Sequence, residues 1–349
     1  MQSQTEIRDQ PPQGPPHDAR SPWRWLTAGL VLAFLLWGSF NLAIPIFYAL
    51  EPGPARDVEV LVEVSGDRTY SSDGSLFLTT VRVDTHVTVA DWFRAALDPA
   101  RRIVSRDEVT GGQSFEEQEE IQLQEMEISK EQARIVALTA LDYPPPSGGG
   151  ARVVRVDEQA PAGGVLEEED VITEVNGQTV ETTCDASESI GRVQAGDEVD
   201  LTVRRDGEDE EINLTTAQNP EDPNKAYVGV YMENEDFEYD PGVEVRFDTE
   251  NIGGPSAGLM FTLALYDQLT PEDLTDGRQI AGSGTIACGG EVGAIGGIEQ
   301  KIAGAEAEGA EVFLAPSGNY EQALGIAEDI TVVEIANFQD ALDYLEGNE

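Results

Sequence analysis

Apolar residues run from Trp25 to Leu50 without a charge, and only Thr27, Ser39 and Asn41 are polar besides Gly and Pro. As a helix, these 26 residues would reach about 39 Å, enough to cross a bilayer with tilt. Beyond them the pattern alternates. VEVLVEV at 58–64 and LFLTTVRV at 76–83 are β-branched runs separated by the turn-forming SSDG, and they predict a hairpin. Val89 to Leu97 reads as a short helix. Phe115 to Leu141 reads as a long acidic one, with Ile121, Met126, Ile128, Ala133, Val136 and Ala137 in an imperfect apolar stripe and FEEQEE as a solvated first turn favoured by the helix dipole. DYPPPSGGG at 142–150 breaks all regular pattern, and QNPEDPNK at 218–225 is a second, weaker break. Between them lie a strand, a small-residue turn, a strand, a tight Asn176-Gly177 turn, a helix-like patch and further strands. Past 225, YVGVYM and VEVRF read as strands, and the unbroken apolar run from Ala257 to Leu265 is a buried helix opened by Pro255-Ser256. A strand, a Gly-rich turn, a helix bearing Lys301 and another strand complete the pattern, so the fold class is α+β and multidomain.

The flanks of the first apolar run decide its orientation. Arg20 and Arg24 precede it, whereas Glu51 and Asp57 open the other side, which places the N-terminus in the cytoplasm and the rest of the chain outside. A cleaved signal peptide has a shorter apolar stretch and a small-residue cleavage site; this run is long and ends IPIFYALEP. Trp23, Trp25 and Tyr48 are expected at the membrane interfaces, with Pro45 kinking or ending the helix. Charge then narrows the function. The chain has 67 Asp and Glu against 21 Lys and Arg, a net charge of −46, which excludes nucleic-acid binding through a basic surface. His17 and His86 are the only histidines, so a His-based triad or a multi-His metal site has no material. Lysine occurs only at 130, 225 and 301, never after glycine, so no Walker A loop exists in this sequence.

Ser256, at a helix start behind Gly253 and Gly254, has three readings: an N-cap, part of a phosphate-cradling loop, or a nucleophile above helix N–H donors. Lys301 is either a surface lysine or a buried base. The segments GPSAG at 254–258 and IGGIEQK at 295–301, followed by GAEVFLAP at 309–316, together resemble the catalytic domain of Lon-type serine peptidases. That resemblance covers about residues 225 to 345. It implies Ser256 as nucleophile, Lys301 as base, Ser283 as the hydroxyl orienting the amine, and oxyanion donors at Ser256 and near Gly254. Many relatives carry an acid where this chain has Gly253. Burial near Ile298, Ile302 and Ala303 should lower the Lys301 pKa toward the range where a neutral amine can take a proton.

The middle segment resembles a PDZ domain over 148–216, on Ala160-Pro161-Ala162 before Gly163, Asp170-Val171-Ile172 leading to Asn176-Gly177, and Gly196 to Val203 ahead of Arg205-Asp206-Gly207. Such domains hold a partner's C-terminal strand, its carboxylate captured by backbone N–H groups. The usual Gly-hydrophobic loop is not evident before Val153. The order of parts, with LFLTTV and ISKEQARIVAL, resembles the membrane-anchored, ATPase-free bacterial members of the Lon-type family. The expected domains are a leader at 1–24, a transmembrane helix at 25–50, a mixed α/β membrane-proximal region at 51–147, the PDZ-like module at 148–216 and the peptidase domain at 217–349. The expected function is a membrane-tethered, extracytoplasmic, ATP-independent serine endopeptidase acting on proteins or peptides, with no metal and no cofactor. Its alternatives are a non-catalytic PDZ scaffold and a self-processing protein. Oligomeric state and the pairing of Cys184 with Cys288 are left open.

Overall fold

The computed structural model describes residues 23, 27, 29–31, 43–219, 225–249 and 252–347 of the chain. Among these residues no helix is long and apolar enough to cross a membrane, and most of the apolar run lies outside them. The expected span to Leu50 is too long at its C-terminal end. Pro45 and Ile46 form a turn, and Phe47 to Leu50 open strand β1 (Phe47–Asp57), because proline stops a helix and the following residues find partners in a sheet. Tyr48, expected at a membrane interface, is instead buried with its ring edge-on to Phe115.

Strands β2 (Val62–Ser65) and β3 (Ser75–Asp84), helix α1 (Val89–Ala95), strand β4 (Arg102–Ser105) and helix α2 (Phe115–Ala140) follow. The predicted hairpin of 58–64 with 76–83 does not form. β3 pairs with β1, while a 3-10 turn at Glu59–Leu61 interrupts the first run and β2 pairs far away with Glu244–Phe247. Pro52-Gly53-Pro54, which breaks the strand pattern in sequence, sits at a register shift inside β1. A Cβ at Gly53 would lie 2.2 Å from Thr80 Oγ1, so glycine is what lets β1 close on β3.

The middle module has strands β5 (Gly150–Val156) and β6 (Val171–Val175), helix α3 (Thr183–Gly191), and strands β7 (Glu198–Arg205) and β8 (Glu208–Thr215). It does not end at 216. Strand β9 (Val230–Glu235) returns to pair antiparallel with β5, giving the order β9-β5-β6-β7-β8 with the short strand Gln178–Thr179 beside β6. Its core holds Val153, Ile172, Val175, Leu201 and Val203.

The last third contains β10 (Glu244–Phe247), α4 (Gly258–Leu269), β11 (Gln279–Gly282), the small hairpin of β12 (Thr285–Ile286) and β13 (Val292–Gly293), α5 (Ile298–Ala307), β14 (Val312–Pro316), β15 (Thr331–Ile335) and α6 (Phe338–Leu345). It does not build its own sheet. A single six-stranded sheet runs β15-β14-β11-β3-β1-β4, so the region expected as a separate unit at 51–147 supplies half of it. β11 pairs parallel with β3 and β14; a parallel contact between segments about 200 residues apart leaves no turn signal to read. Successive residues pack on opposite faces: Ile280 and Leu314 join α2, α4 and α6, whereas Ala281, Phe313 and Ala315 join α5. α5 approaches closely because Gly304 faces Gly53, where a Cβ would be 2.7 Å from the Gly53 carbonyl oxygen. The module is tied to this body by a Cys184–Cys288 disulfide from α3 to the β12–β13 turn and by a 3.0 Å Lys225–Glu291 ion pair.

Where α4 ends, Asp267 accepts bonds from Ser72 and from the Leu274 N–H, and Glu59 lies beside this pair. Burial, followed by the charge of Asp267 and other acids against the lowering bond from Ser72, lifts the Glu59 carboxyl to about 7. Its folded form therefore holds a proton that the unfolded chain releases above about 4.5, and stability falls as pH rises through that window. Glu59→Gln stays neutral. Its melting temperature should match wild type near pH 4.5 and exceed it at pH 8 in a calorimetric pH series; equal curves at both pH values would refute the assignment.

Candidate active site

Ser256 occupies a single 3-10 turn, Pro255–Ala257, that feeds into α4. Proline suits the first position of such a turn because its missing N–H is not needed there. α2 braces the turn: Ser129 Oγ donates to the Pro255 carbonyl at 2.9 Å. On the other side the Gly284 N–H donates to the Ser256 carbonyl at 2.9 Å and the Leu259 N–H to the Gly284 carbonyl at 3.1 Å. The turn is thus clamped between the sheet's β11 end and α2, a helix from the N-terminal part of the folded body.

Lys301 lies one turn into α5 and is only 3 % exposed. Its Nζ stands 2.6 Å from Ser256 Oγ and 2.8 Å from the buried Ser283 Oγ. Ser283 Oγ in turn donates to the Ser256 carbonyl at 2.9 Å. That bond uses the only Ser283 hydrogen, so its oxygen accepts from Lys301 and the direction of the chain of bonds is set. A neutral amine placed this way gives one N–H to Ser283 and turns its lone pair to the Ser256 hydroxyl. Burial lowers the Lys301 pKa to about 7, since an ammonium is poorly solvated there.

The structure brings Ser256, Lys301 and Ser283 together. Gly254 differs from its expected role: its N–H donates to the carbonyl of Gln122 on α2 at 2.8 Å and does not point free toward a substrate. The Ser256 N–H donates to no acceptor among the described residues. Gln122 and Ser129 escaped the sequence reading because they lie on the acidic helix, more than 120 positions before the serine, and carry no local signature of that contact. Among the described residues no group of three or more His, Cys, Asp or Glu converges as a metal site.

Residues 243–345 match the family model of the Lon protease (S16) C-terminal proteolytic domain, and residues 112–216 match that of the PDZ domain. A PDZ domain and a Lon-type proteolytic domain share this chain. The Lon protease of Mesomycoplasma hyopneumoniae is 29 % identical over 96 residues, which are 26 % of this chain and 11 % of that protein. A probable periplasmic serine endoprotease, DegP-like, of Brucella suis is 37 % identical over 78 residues, 22 % of this chain and 15 % of that protein. The chain therefore matches well under a fifth of the length of either relative. The solved PDZ domain of an SdrC-like protein from Listeria innocua is 25 % identical and covers 24 % of this chain and 92 % of that one, with a TM-score of 0.22.

The PDZ domain offers a second site away from Ser256. A cavity of about 510 Å³ is lined by residues of α3 and β9, with Ile190, Val228, Val230 and Met232 beside the charged Glu188, Arg192 and Lys225, and by Ala287, Cys288 and Glu291 of the proteolytic domain. β9 is the sheet edge, and the loop before it, Tyr227-Val228-Gly229-Val230, holds N–H groups at Val228 and Gly229 that donate to no acceptor among the described residues. Gly229 has φ +83°, and a Cβ there would meet Ala160 Cβ at 2.0 Å, so this loop requires glycine. The hydrophobic-Gly-hydrophobic pattern was present in the sequence, but on the C-terminal side of the module where its pairing with β5 could not be read.

An amine whose folded pKa is depressed opposes folding most where it would be charged. For Lys301 the full penalty applies below about pH 7 and is relieved as pH rises toward 10.5, on the order of 4 kcal/mol in all. Lys301→Met should therefore raise the melting temperature at pH 6 and lose most of that advantage by pH 10. A constant difference across this range, measured by differential scanning fluorimetry, would contradict a buried, neutral lysine.

Proposed function

We propose that this chain is a membrane-anchored, extracytoplasmic serine endopeptidase that needs no ATP and cleaves protein or peptide substrates through a Ser256 acyl-enzyme with Lys301 as general base. The observation that carries the reading is the 2.6 Å approach of the buried Lys301 amine to Ser256 Oγ. A serine hydroxyl is a weak nucleophile until a base removes its proton, and arginine in the same place could not do so. Lys301 takes the proton as Oγ attacks the scissile carbonyl, and the Ser256 N–H faces the developing oxyanion. The ammonium then protonates the departing amine, leaving the acyl group on Oγ. Water, losing its proton to the neutral Lys301, attacks the acyl carbon, and as the acyl C–Oγ bond breaks the ammonium returns that proton to Oγ, releasing the acid and restoring the serine hydroxyl and the neutral amine.

Residues 25–42 are the proposed anchor, eighteen uncharged positions that end where Ala43 enters the folded body. The Cys184–Cys288 disulfide supports an oxidising compartment for the remainder. The absence of any Gly-Lys pair supports hydrolysis without a nucleotide. The groove between α3 and β9 holds the C-terminal strand of a substrate, its carboxylate on the Val228 and Gly229 N–H groups and its last, apolar side chain against Ile190 and Val230.

Ser256→Ala, Lys301→Met and Lys301→Arg should each lower kcat/KM on an unfolded protein substrate by about a thousandfold or more, without additivity between the serine and lysine changes. The wild-type rate should rise along a limb centred near the Lys301 value of about 7. Near-native turnover with arginine at 301 would sink the base assignment.

The groove is tested separately with peptide substrates that differ only in a free or amidated C-terminus. Amidation should raise KM by about tenfold, roughly 1.4 kcal/mol, with kcat little changed. Identical KM values would remove the groove from substrate binding while leaving the Ser256–Lys301 chemistry intact.

A further inference from the structure

The point where the chain enters the folded body is bordered by apolar side chains that the core does not use. Ala43 bridges to Thr88, the Ile44 N–H donates to the Val87 carbonyl at 2.7 Å, and the Phe47 ring meets Trp92 edge-on at 5.2 Å. These contacts seat α1 directly beside the entry turn. Val87 behind it is fully buried, which fixes the base of α1. The outer side is different: Ile46 is 63 % exposed, Trp92 43 % and Leu97 87 %. Ile46, Trp92 and Leu97 are large apolar side chains left in water at the entry turn and on or just after α1, on a chain of net charge −46, and they call for a nonaqueous partner.

We propose that α1 and the entry turn form a lipid-facing patch that rests in the headgroup region of the bilayer entered by residues 25–42, an inference that rests on the membrane-anchored reading above. Three observations single out lipid. First, eighteen uncharged residues immediately precede Ala43, so any bilayer they occupy lies at this edge of the body. Second, tryptophan with aliphatic neighbours is the composition that partitions to a membrane interface, where the indole's apolar ring and N–H are both accommodated. Third, the local charge permits approach. Residues 82–108 carry five Arg and five Asp or Glu, a net charge of zero, so the whole deficit of 46 lies elsewhere. Pairs such as Arg94–Asp91 at 2.7 Å and Arg102–Glu108 at 2.8 Å keep this side neutral, and Arg101 bridges Asp98 and Glu51. An anionic leaflet that repels the rest of the body does not repel this face. Tyr48, the aromatic expected at this interface, is in the core, whereas Trp92 is 43 % exposed. Docked this way, the body gains an orientation: two contacts, an anchor and a patch, restrict the tilt that one tether alone would allow.

The test uses the full chain in vesicles of phosphatidylcholine and phosphatidylglycerol, with and without bromine on the acyl chains, and single-tryptophan reporters. Trp92 is retained alone in the Trp23→Phe, Trp25→Phe, Trp37→Phe variant; Trp37 is retained alone in a parallel variant; and Val60→Trp in a chain otherwise lacking tryptophan reports an exposed position outside the patch. Bromolipid should quench Trp37 and Trp92 and leave the position-60 reporter bright. Adding Leu97→Glu, a change at a fully hydrated side chain in the free protein, should restore Trp92 emission while Trp37 stays quenched. Quenching of Trp37 with an unquenched Trp92 would overturn the patch and leave the anchor standing. If neither is quenched, the anchor falls as well and the patch with it.

Discussion

An amine kept out of water without a counter-charge is the constraint on which the rest of this structure turns. Among the described residues Lys301 forms no ion pair; burial lowers its pKa, and its Nζ hydrogen-bonds two hydroxyls. The opposing free energy, on the order of 4 kcal/mol, is a large part of what a domain has in total. It is offset by the burial of the extensive apolar core around α4, α5 and the sheet. The Gly53–Gly304 approach brings α5 onto the sheet, and hydrogen bonds from Ser129 and Gly284 hold the serine turn from both sides. In a chain so rich in acids, keeping carboxylates away from one lysine is as much a design feature as the lysine itself, since any of them would favour the ammonium.

The same constraint explains why the parts of the chain are not independent. The proteolytic segment lacks three of the six strands on which its helices lie, and the N-terminal segment carrying β1, β3 and β4 provides them. That region also provides α2, which braces the Ser256 turn and takes the Gly254 N–H. The PDZ domain completes its own sheet only with β9, the strand that leads into the proteolytic domain, and the disulfide fastens its α3 to the β12–β13 turn. The base of that turn is one residue from Gly284, a donor to the Ser256 carbonyl. A ligand in the groove between α3 and β9 would touch both domains at once, on Val228 and on Cys288.

Location and charge follow a related logic. A body at −46 resists association with itself and with anionic surfaces, so an anchored form needs a face where that repulsion is cancelled. Around α1 the Arg94–Asp91 and Arg102–Glu108 pairs balance one another's charge, and Trp92 and Leu97 are exposed there.

Much of the local structure was legible in the residues. α1, α2, β3 and α4 follow from their hydrophobic periods, and Ser256 and Lys301 stand out because each lies in a short motif whose glycines and small residues are contiguous in sequence. What could not be read was decided by partners far along the chain. β1 pairs with β3 through a proline-flanked glycine that looks like a break until Thr80 is seen against it; β9 reads as part of the last domain until β5 is seen beside it. The Gly254 N–H is committed to Gln122, and the end of the apolar run folds as a strand although its composition is that of a membrane helix. The physical reason is common to all four: a period of apolar residues states that a segment will bury one face, whereas which neighbour covers it, and which backbone groups are thereby used, depends on shape and register set only when distant segments meet.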